Sequence, residues 1–289
     1  MYGWIVVNSF VESAKFREIY GLLAEAGERY GIRLEIKKGQ DIIGVAGEGF
    51  EVLPDFVIFW DKDIYLAELL ERAGVRLYNS ARAIELCDNK AKTALALTAA
   101  GVRTPRTVIA PKTFEGLGYT DMTFLDNAVE RLGLPLVIKE AYGSFGQQVY
   151  LASTVAEAVE IIGKIGHKDF IMQEFVATSQ GRDLRINVVG DRVVATMYRY
   201  NDKDFRSNIS NGGSMKAYEP SVAQKEIAVR AVKALGLDFA GVDVMFGERG
   251  EPIVCEVNSN PHFKSTLECT GVNVARCIAE YIHKTQDRI

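Results

Sequence analysis

Three oxygen-bearing side chains in the last 50 residues of the sequence have the chemistry of a metal site. The apolar segments FAGVDVMF and PIVCEVN are joined by the polar turn GERGEP, a pattern that predicts a β-hairpin. Side chains alternate between strand faces, so Asp243 shares a face with Gly241 and Met245, and Glu256 shares one with Asn258. Pairing of the strands would bring together two carboxylates and an amide, which suit Mg²⁺. The alternative is a solvent-exposed strand face whose charges favour solubility.

A glycine-rich segment could form a flap over phosphate groups. Residues 143–146 (GSFG) lie between a predicted strand that ends at Lys139 and one that begins near Val149. Glycine lets backbone N–H groups approach phosphate oxygens, and a nearby lysine adds positive charge. No GKT or GKS follows, so the segment is not a Walker A loop. The alternative is a hairpin that needs glycine only for its backbone conformation.

Four cations in this net acidic chain are candidates for binding anionic oxygens: Lys90, Lys139, Arg185 and Arg206. Strand alternation places Arg185 on one face with Asp183 and Asn187. Arginine can bind a phosphate or carboxylate through two oxygens at once. Taken singly, each cation is better explained by an ordinary surface ion pair. Together with the flap and the oxygen ligands, they indicate a magnesium–nucleotide site.

The composition excludes several classes of protein. The 289 residues carry 34 Lys and Arg against 38 Asp and Glu, a net charge of −4, so no basic excess indicates nucleic-acid binding. No apolar run reaches the roughly 20 residues of a membrane-spanning helix, and no secretory leader is expected. The four cysteines form no CxxC pair and there are only three histidines, which argues against a zinc site or a disulfide framework. We therefore expect a cytoplasmic protein with neither nucleic-acid nor membrane partners.

The elements that must position these residues fall into an α/β part and an α+β part. Residues 1–80 alternate strands and helices without a GxGxxG after the first strand, which predicts a small parallel α/β domain that is not a dinucleotide fold. Helices are predicted over residues 11–30, 64–73, 89–100 (capped by Asp88), 124–132, 154–165, 221–235 and 272–284. From residue 181, the long strands DLRINVVG and RVVATMYRY are joined by a Gly190-Asp191 turn.

Read in order, these motifs resemble the ATP-grasp superfamily, specifically its RimK-type and LysX-type carboxylate–amine ligases. The resemblance runs from about residue 80 to the end, through CDNKAKTALALTAAGVRTPRT, LPLVIKEAYGSFGQQV, IMQEFV, GRDLRINVVGDRVVA, DFRSNISNGG, AGVDVMF and VCEVNSNP. FKSTLECTGVNVA is closer to LysX-type chains, and FRSN is RimK-like. The resemblance implies an ATP-grasp fold with three parts. Residues 1–80 would form a pre-ATP-grasp α/β domain, residues 81–178 the central subdomain with the flap, and residues 179–289 the C-terminal subdomain with the metal site.

The resemblance also implies roles for individual residues. The implied ATP-binding positions are Lys90, Lys139, Ser144, Phe145, Gly146, Gln147, Gln173, Glu174, Phe175, Val176 and Asp183. The implied metal ligands are Asp243, Glu256 and Asn258, for two Mg²⁺ ions with Mn²⁺ as an alternative. The implied catalytic cations are Arg185 and Arg206, and the implied substrate positions are Asn208, Gly212, Gly213, His262 and Lys264.

The implied reaction joins a carboxylate to an amine. A substrate carboxylate attacks the γ-phosphorus of ATP, and an amine then attacks the resulting acylphosphate, so no nucleophile of the enzyme is required. Magnesium, Lys139 and Arg206 would screen the repulsion between the two anions. The implied partners are an amino acid, glutamate-like or another, and an amine, peptide or carrier-protein acceptor. By analogy with RimK-like ligases, self-association is also expected.

Two departures from the RimK pattern leave the substrates open. Asn211 stands where RimK-type chains commonly have arginine, and His262 and Lys264 follow Pro261 where simpler members have a glycine-containing turn. His262 and Lys264 either contact the amino-acid substrate or only complete the loop. A kinase for hydroxyl groups and a regulatory module that binds ATP without catalysis share parts of this site. The RSN and Glu-Val-Asn stretches favour the ligase over the kinase, and the intact metal set argues against the regulatory module.

Overall fold

The computed structural model describes residues 1–47, 50–143, 146–209 and 212–286. Its strands are β1 (Tyr2–Val7), β2 (Arg33–Lys38), β3 (Phe56–Trp60), β4 (Arg76–Tyr78), β5 (Thr107–Ile109), β6 (Leu136–Glu140), β7 (Val149–Ala152), β8 (Phe170–Glu174), β9 (Arg182–Val189), β10 (Arg192–Tyr200), β11 (Ser214–Ala217), β12 (Phe239–Phe246) and β13 (Pro252–Asn258). Its α-helices are α1 (Ala14–Glu28), α2 (Ile64–Arg72), α3 (Ala81–Asp88), α4 (Lys90–Ala99), α5 (Thr123–Leu132), α6 (Val155–Ile165), α7 (Val222–Ala234), α8 (Lys264–Thr270) and α9 (Val274–Gln286). Single turns of 3₁₀ helix lie at Gly39–Asp41 and Ala177–Ser179.

These strands form three sheets with the orders β2-β1-β3-β4, β5-β8-β6-β7 and β11-β10-β9-β12-β13. The first sheet is parallel, and the pairings in the other two are antiparallel. Every residue of β3 is buried, as expected for a strand covered on both faces. Helices α1 and α9 cover one face of this sheet, and α2 and α3 pack against the other. The N-terminal sheet therefore shares its core with the C-terminal helix.

The five-stranded sheet has one apolar face and one polar face. Leu184, Ile186 and Val188 of β9 are fully buried and pack in one core with Ala228 and Ala231 of α7. The alternate residues of β9, at positions 183, 185 and 187, point to the opposite face because strand side chains alternate. Burial of the apolar face against α7 therefore fixes which side of the sheet presents the polar residues.

The helix predictions are correct in position for seven segments and miss two others. Helix α3 follows Ser80, whose hydroxyl accepts a hydrogen bond from Ala83 N, a capping signal that the sequence contains. Helix α8 lies in a segment for which no helix is predicted. The predicted cap at Asp88 is wrong, because Asp88 ends α3 and Asn89 caps α4 by accepting from Ala91 N and Lys92 N. Across the described ranges, no helix is both long and apolar enough to cross a membrane.

A buried asparagine joins the N-terminal sheet to the five-stranded sheet. Asn79 is 0% exposed and lies directly after β4. Its Nδ2 donates to the carbonyl oxygens of Phe239 and Ser259, both at 3.0 Å. Its Oδ1 accepts from Asp238 N at 2.6 Å and Phe239 N at 3.2 Å. One side chain thus pairs four backbone groups at the start of β12 and the end of β13.

We expect Asn79→Ala to lower the free energy of unfolding by at least about 3 kcal/mol, because buried backbone donors and acceptors lose their partners. Urea titration followed by circular dichroism measures the change. The control is Asn127→Ala on the exposed face of α5, which should stay within about 0.5 kcal/mol of the wild type. Equal effects of the two substitutions would contradict the bridging role of Asn79.

Candidate active site

The C-terminal hairpin pairs the candidate metal ligands. Asp243 lies opposite Glu256, and Gly241 lies opposite Asn258. The register then shifts, so that Val244 pairs with Val254 and Cys255 is the extra residue of a β-bulge. Asn258 Nδ2 donates to the carbonyl of Gly241 at 3.3 Å, a bond that leaves its amide oxygen for another partner.

Asp243 is buried between two arginines. The Nε of Arg185 donates to one carboxylate oxygen and its Nη2 donates to the other at 2.9 Å. Arg199 Nη2 lies 3.0 Å from Asp243 Oδ2. Burial by itself raises the pKa of Asp243, but the charges and hydrogen bonds of Arg185 and Arg199 outweigh it and hold the pKa below its usual value. Asp243 is therefore an ionised carboxylate whose negative charge is balanced inside the sheet face.

Arg199 connects Asp243 to Asp183. Its Nε donates to Asp183 Oδ1 at 2.8 Å, and its Nη2 reaches Asp183 Oδ2 as well as Asp243. Arg199 is 5% exposed, and burial alone would lower its pKa. The charges of Asp183 and Asp243 outweigh this effect, so the pKa of Arg199 lies above its usual value. The result is a buried row of four charges, Asp183–Arg199–Asp243–Arg185, which we call the charge row. Arg199 is the member that the sequence reasoning missed.

A cavity lies between the charge row and the sheet of β5–β8. Of the predicted positions, twelve line it: Lys90, Lys139, Gly146, Gln173, Glu174, Phe175, Val176, Asp183, Arg206, Asn208, Asp243 and Glu256. Apolar side chains that were not predicted, among them Val137 and Met245, also contribute. The cavity therefore combines an apolar part with cations and carboxylates, as a site for a flat base linked to phosphates requires.

The predicted cations reach the cavity through different contacts. Lys90 Nζ donates to the carbonyl of Gly143 at 3.1 Å and lies 3.8 Å from Glu256 Oε1. Lys139 is buried, and its Nζ lies 3.6 Å from Cys255 Sγ. Burial raises the pKa of Cys255, and Lys139 partly offsets this effect. This thiol is therefore a neutral wall of the cavity.

Arg206 joins the polar loop 201–209 to the end of the flap. Its Nη1 donates to the carbonyl of Gly146 at 2.6 Å, while Nε and Nη2 bind the carboxylate of Asp204 at 3.0 and 2.8 Å. The hydrogen bond to Asp204 raises the pKa of Arg206. Arg206 therefore stays charged at the edge of the cavity.

Two predicted nucleotide-binding side chains are bonded to neighbouring residues. Gln173 Nε2 donates to the hydroxyl of Thr107 at 2.9 Å. The carboxylate of Glu174 accepts from the backbone N of Arg106 at 2.8 Å and from its Nε at 2.6 Å. These bonds fix the segment that leads to Phe175 and Val176 along the cavity wall.

Some predicted positions do not line the described cavity. These are Gln147, Arg185, Asn258, Gly212, Gly213, His262 and Lys264. Lys264 instead forms an ion pair with Glu18 and lies 3.8 Å from Glu268, and the ring of His262 packs edge-on against Phe16 with centroids 6.3 Å apart. Burial, followed by the charge of Lys15, lowers the pKa of His262. Ser144, Phe145 and Asn211 lie outside the described residues.

No group of three His, Cys, Asp or Glu side chains in the described part of the chain forms a ready metal site. The candidate site depends instead on an amide oxygen, from Asn258, beside the paired carboxylates of Asp243 and Glu256. All three groups are hard oxygen donors that suit Mg²⁺. For Asp243 to bind a metal, it must give up part of its contact with an arginine.

The ATP-grasp class is defined by a parallel α/β unit, two antiparallel sheets and an apolar, cation-lined cavity between those two sheets. The chain belongs to the RimK-like ATP-grasp domain family, which it matches over residues 87–282. It is 39% identical over 217 residues to a probable alpha-L-glutamate ligase 1 of Shewanella sp. strain ANA-3, covering 74% of this chain and 69% of the relative. It is 33% identical over 258 residues to human beta-citrylglutamate synthase B, covering 86% of this chain and 65% of the relative.

The fold matches a solved structure over almost its whole length. A RimK domain ATP-grasp protein from Sphaerobacter thermophilus superposes with a TM-score of 0.74 at 20% identity, covering 97% of this chain and 98% of that one. The predicted superfamily, fold class and enzyme class are thus confirmed: the chain is an ATP-dependent ligase of the RimK-like kind. It spans slightly less than two thirds of the human synthase, so that protein's substrates are not transferred with the family.

We expect Arg199→Met to destabilise the fold by about 3–5 kcal/mol. Within the described ranges, Asp183 would lose its only bound cation and Asp243 would lose one of two, while both carboxylates stay buried. Urea unfolding gives the value. Arg192→Met on the same strand is the control, since the Arg192 side chain is 62% exposed and lies 3.9 Å from Glu280. A loss below about 1 kcal/mol for Arg199→Met would show that the charge row is not held together by this guanidinium.

Proposed function

We propose that the cavity binds ATP with magnesium and joins a substrate carboxylate to an amine through an acylphosphate. The observation that supports this most strongly is the charge row beside the Asp243–Glu256 pair. It keeps an ionised carboxylate buried at the cavity wall, next to a second carboxylate on the neighbouring strand. A regulatory module that only docks a nucleotide does not need such a pair. Nothing in the geometry favours a kinase over a ligase, and the family of the chain favours the ligase.

The residues present suit the metal. We propose that Asp243, Glu256 and Asn258 bind two Mg²⁺ ions, with Mn²⁺ as a substitute, through carboxylate and amide oxygens. Arg185 is the partner that can release Asp243, since its side chain is 12% exposed and no other ion pair of the described residues uses it. The Arg199 side chain is only 6% exposed and stays bound to Asp183. When bound, the metal and the nucleotide supply an activated phosphoryl group with part of its charge neutralised.

The proposed nucleotide contacts follow from the cavity wall. Val137, Phe175, Val176 and Met245 give the apolar surface that a base requires, and the carboxylate of Asp183 suits ribose hydroxyls. Lys90, Lys139 and Arg206 supply positive charge for the phosphates. The flap from Ser144 to Gln147 would close over them and exclude water, because an exposed acylphosphate hydrolyses. In this proposal, the bond from Arg206 to Gly146 couples the flap to the polar loop.

The proposed reaction has two steps. A carboxylate oxygen of the substrate attacks the γ-phosphorus and ADP leaves; Arg185, released from Asp243, and Arg206 stabilise the approaching anions. The nitrogen of the amine then attacks the acyl carbon, the bond from that carbon to the phosphate oxygen breaks, and the nitrogen loses a proton. Phosphate leaves and an amide remains. Every group that the chain supplies acts by position and charge, so the proposed reaction requires no covalent bond between substrate and enzyme.

We propose an amino acid as one substrate, with glutamate as the first to test because both relatives are named for it. The second substrate is an amine, peptide or carrier-protein acceptor. Asn208, which lines the cavity, and Gly212 and Gly213 beside it are proposed contacts on the substrate side. His262 and Lys264 remain candidates, but the ion pair of Lys264 with Glu18 supports a structural role instead. We also propose the domain division 1–80, 81–178 and 179–289, each with one of the three sheets.

We expect Asp243→Asn and Glu256→Gln each to lower phosphate release from ATP at least about a hundredfold. Each substitution removes a ligand of the metal, whose stabilisation of charge on the transferred phosphoryl group is worth several kcal/mol. Phosphate release is measured across a panel of amino acids and organic acids, with and without an added amine. Glu248→Gln, in the exposed turn of the same hairpin, is the matched control and should keep wild-type turnover.

Normal turnover in Asp243→Asn or Glu256→Gln would contradict the metal assignment. Phosphorylated product without free phosphate in the wild type would indicate a kinase. ATP binding without turnover on any acid would indicate a regulatory module.

A further inference from the structure

The parallel N-terminal sheet has its topological switch point next to the active-site hairpin. The chain passes from β1 to β2 on one side and then to β3 on the other, so that β1 and β3 are neighbours at the centre. Asn8 follows β1 and Asp61 follows β3, so both lie at the carboxyl ends of these two strands. Open α/β sheets bind ligands in the crevice at such a point. Neither Asn8 nor Asp61 lines the described cavity, so we propose no nucleotide contact for either residue.

Asp61 is a buried carboxylate without a cation bound to it. It is 9% exposed, and its oxygens accept from Asn8 Nδ2 at 3.1 and 3.4 Å and from Lys62 N at 2.7 Å. The ammonium of Lys62 binds Asp88, and no ion pair within the described ranges includes Asp61. Burial raises the pKa of Asp61, and the hydrogen bonds from Lys62 N and Asn8 partly offset this effect. A cation placed here would relieve the remaining cost of burying the charge.

A buried acceptor without a partner among the described residues belongs to Asn260, which is bonded to Asp61. Asn260 Nδ2 donates to the backbone carbonyl of Asp61 at 3.1 Å. The Oδ1 of the same amide is buried and has no hydrogen-bond partner among the described residues. Buried acceptors without a donor are rare in folded proteins, and each one costs about 1–3 kcal/mol. This end of the sheet therefore holds a buried acceptor that requires a donor, beside a carboxylate that forms no ion pair among the described residues.

The position relates these acceptors to the reaction. Asn260 stands two residues after Asn258, on the same chain segment that carries Glu256. The bond from Asn260 to Asp61 docks the sheet end against that segment. A ligand held by Asp61 would thus lie near the chain segment that carries the proposed metal ligands.

We propose that Asp61 and Asn260, with Asn8 orienting Asp61, bind the amine substrate as its ammonium ion, which releases one proton to solvent before its nitrogen attacks the acyl carbon. A primary ammonium offers three N–H donors and one positive charge, which matches one carboxylate and one amide oxygen. A carboxylate or phosphate would meet the negative charge of Asp61 and the unpaired amide oxygen of Asn260 here. The inference rests on the proposed ligase function and adds to it the class of the second substrate, a cationic primary amine, and its location.

The test separates binding of the amine from formation of the acylphosphate. Hydroxylamine, largely uncharged at slightly alkaline pH, traps the acylphosphate as a hydroxamate without an ammonium site. The acid and the amine are first chosen by mass spectrometry of products from pooled amino acids, organic acids and ATP. We expect Asp61→Asn to raise the KM for that amine at least about tenfold, as for loss of a charge-assisted hydrogen bond, and to leave hydroxamate formation within about twofold.

The matched control is Asp63→Asn, which removes the same charge two residues away. Asp63 caps α2 by accepting from Leu66 N, and asparagine caps equally well. Both reactions should therefore stay near wild-type values in this variant. A measurement on the wild type avoids any folding defect: methylammonium should inhibit amide formation competitively with the amine and spare the hydroxamate reaction.

An unchanged KM for the amine in Asp61→Asn would overturn the proposal, as would inhibition by methylammonium that is not competitive with the amine. Equal loss of hydroxamate and amide in a folded Asp61→Asn variant would place Asp61 in the first step and also overturn it. Absence of hydroxamate from the wild type with every acid would instead contradict the ligase function itself.

Discussion

The site depends on the neutralisation of buried charge on one face of a β-sheet. Two aspartates and two arginines alternate along the charge row, so each carboxylate that leaves water meets a guanidinium. Buried ion pairs add little net stability, but loss of one partner is costly because the other charge stays buried. The row therefore serves position more than stability. It keeps Asp243 ionised at a cavity wall, where an isolated carboxylate would take up a proton.

The remainder of the fold sets the surroundings of that row. Helix α7 buries the opposite, apolar face of the sheet and so determines that positions 183 and 185 lie on the face that carries the charge row. The sheet of β5–β8 closes the cavity and supplies Lys139. The N-terminal sheet contacts the same region at two points: Asn79 binds backbone groups at the open end of the hairpin, and Asn260, which follows β13, donates to the carbonyl of Asp61. Three sheets thus meet at one site.

Alternation and hairpin pairing allowed much of this to be predicted from the sequence. The pairing of Asp243 with Glu256 follows from a short turn between two apolar strands, and the alternation around Arg185 follows from β9 itself. Arg199 escaped prediction because of a bulge. A regular hairpin about Gly190-Asp191 would set Tyr198 opposite Asp183, but the register shift between Val193 and Ala195 brings Arg199 there instead. Lys264 could not be placed from sequence, because its partner Glu18 lies almost 250 residues earlier in the chain.

The most direct test of the central claim is a crystal structure with a non-hydrolysable ATP analogue and Mg²⁺. The account predicts the analogue in the cavity between the two antiparallel sheets, with metal bound to oxygens of Asp243, Glu256 and Asn258. It also predicts that Arg199 remains bound to Asp183 while Arg185 has turned away from Asp243. A nucleotide bound elsewhere, or an Asp243 carboxylate still held by both arginines with no metal beside it, would contradict the account.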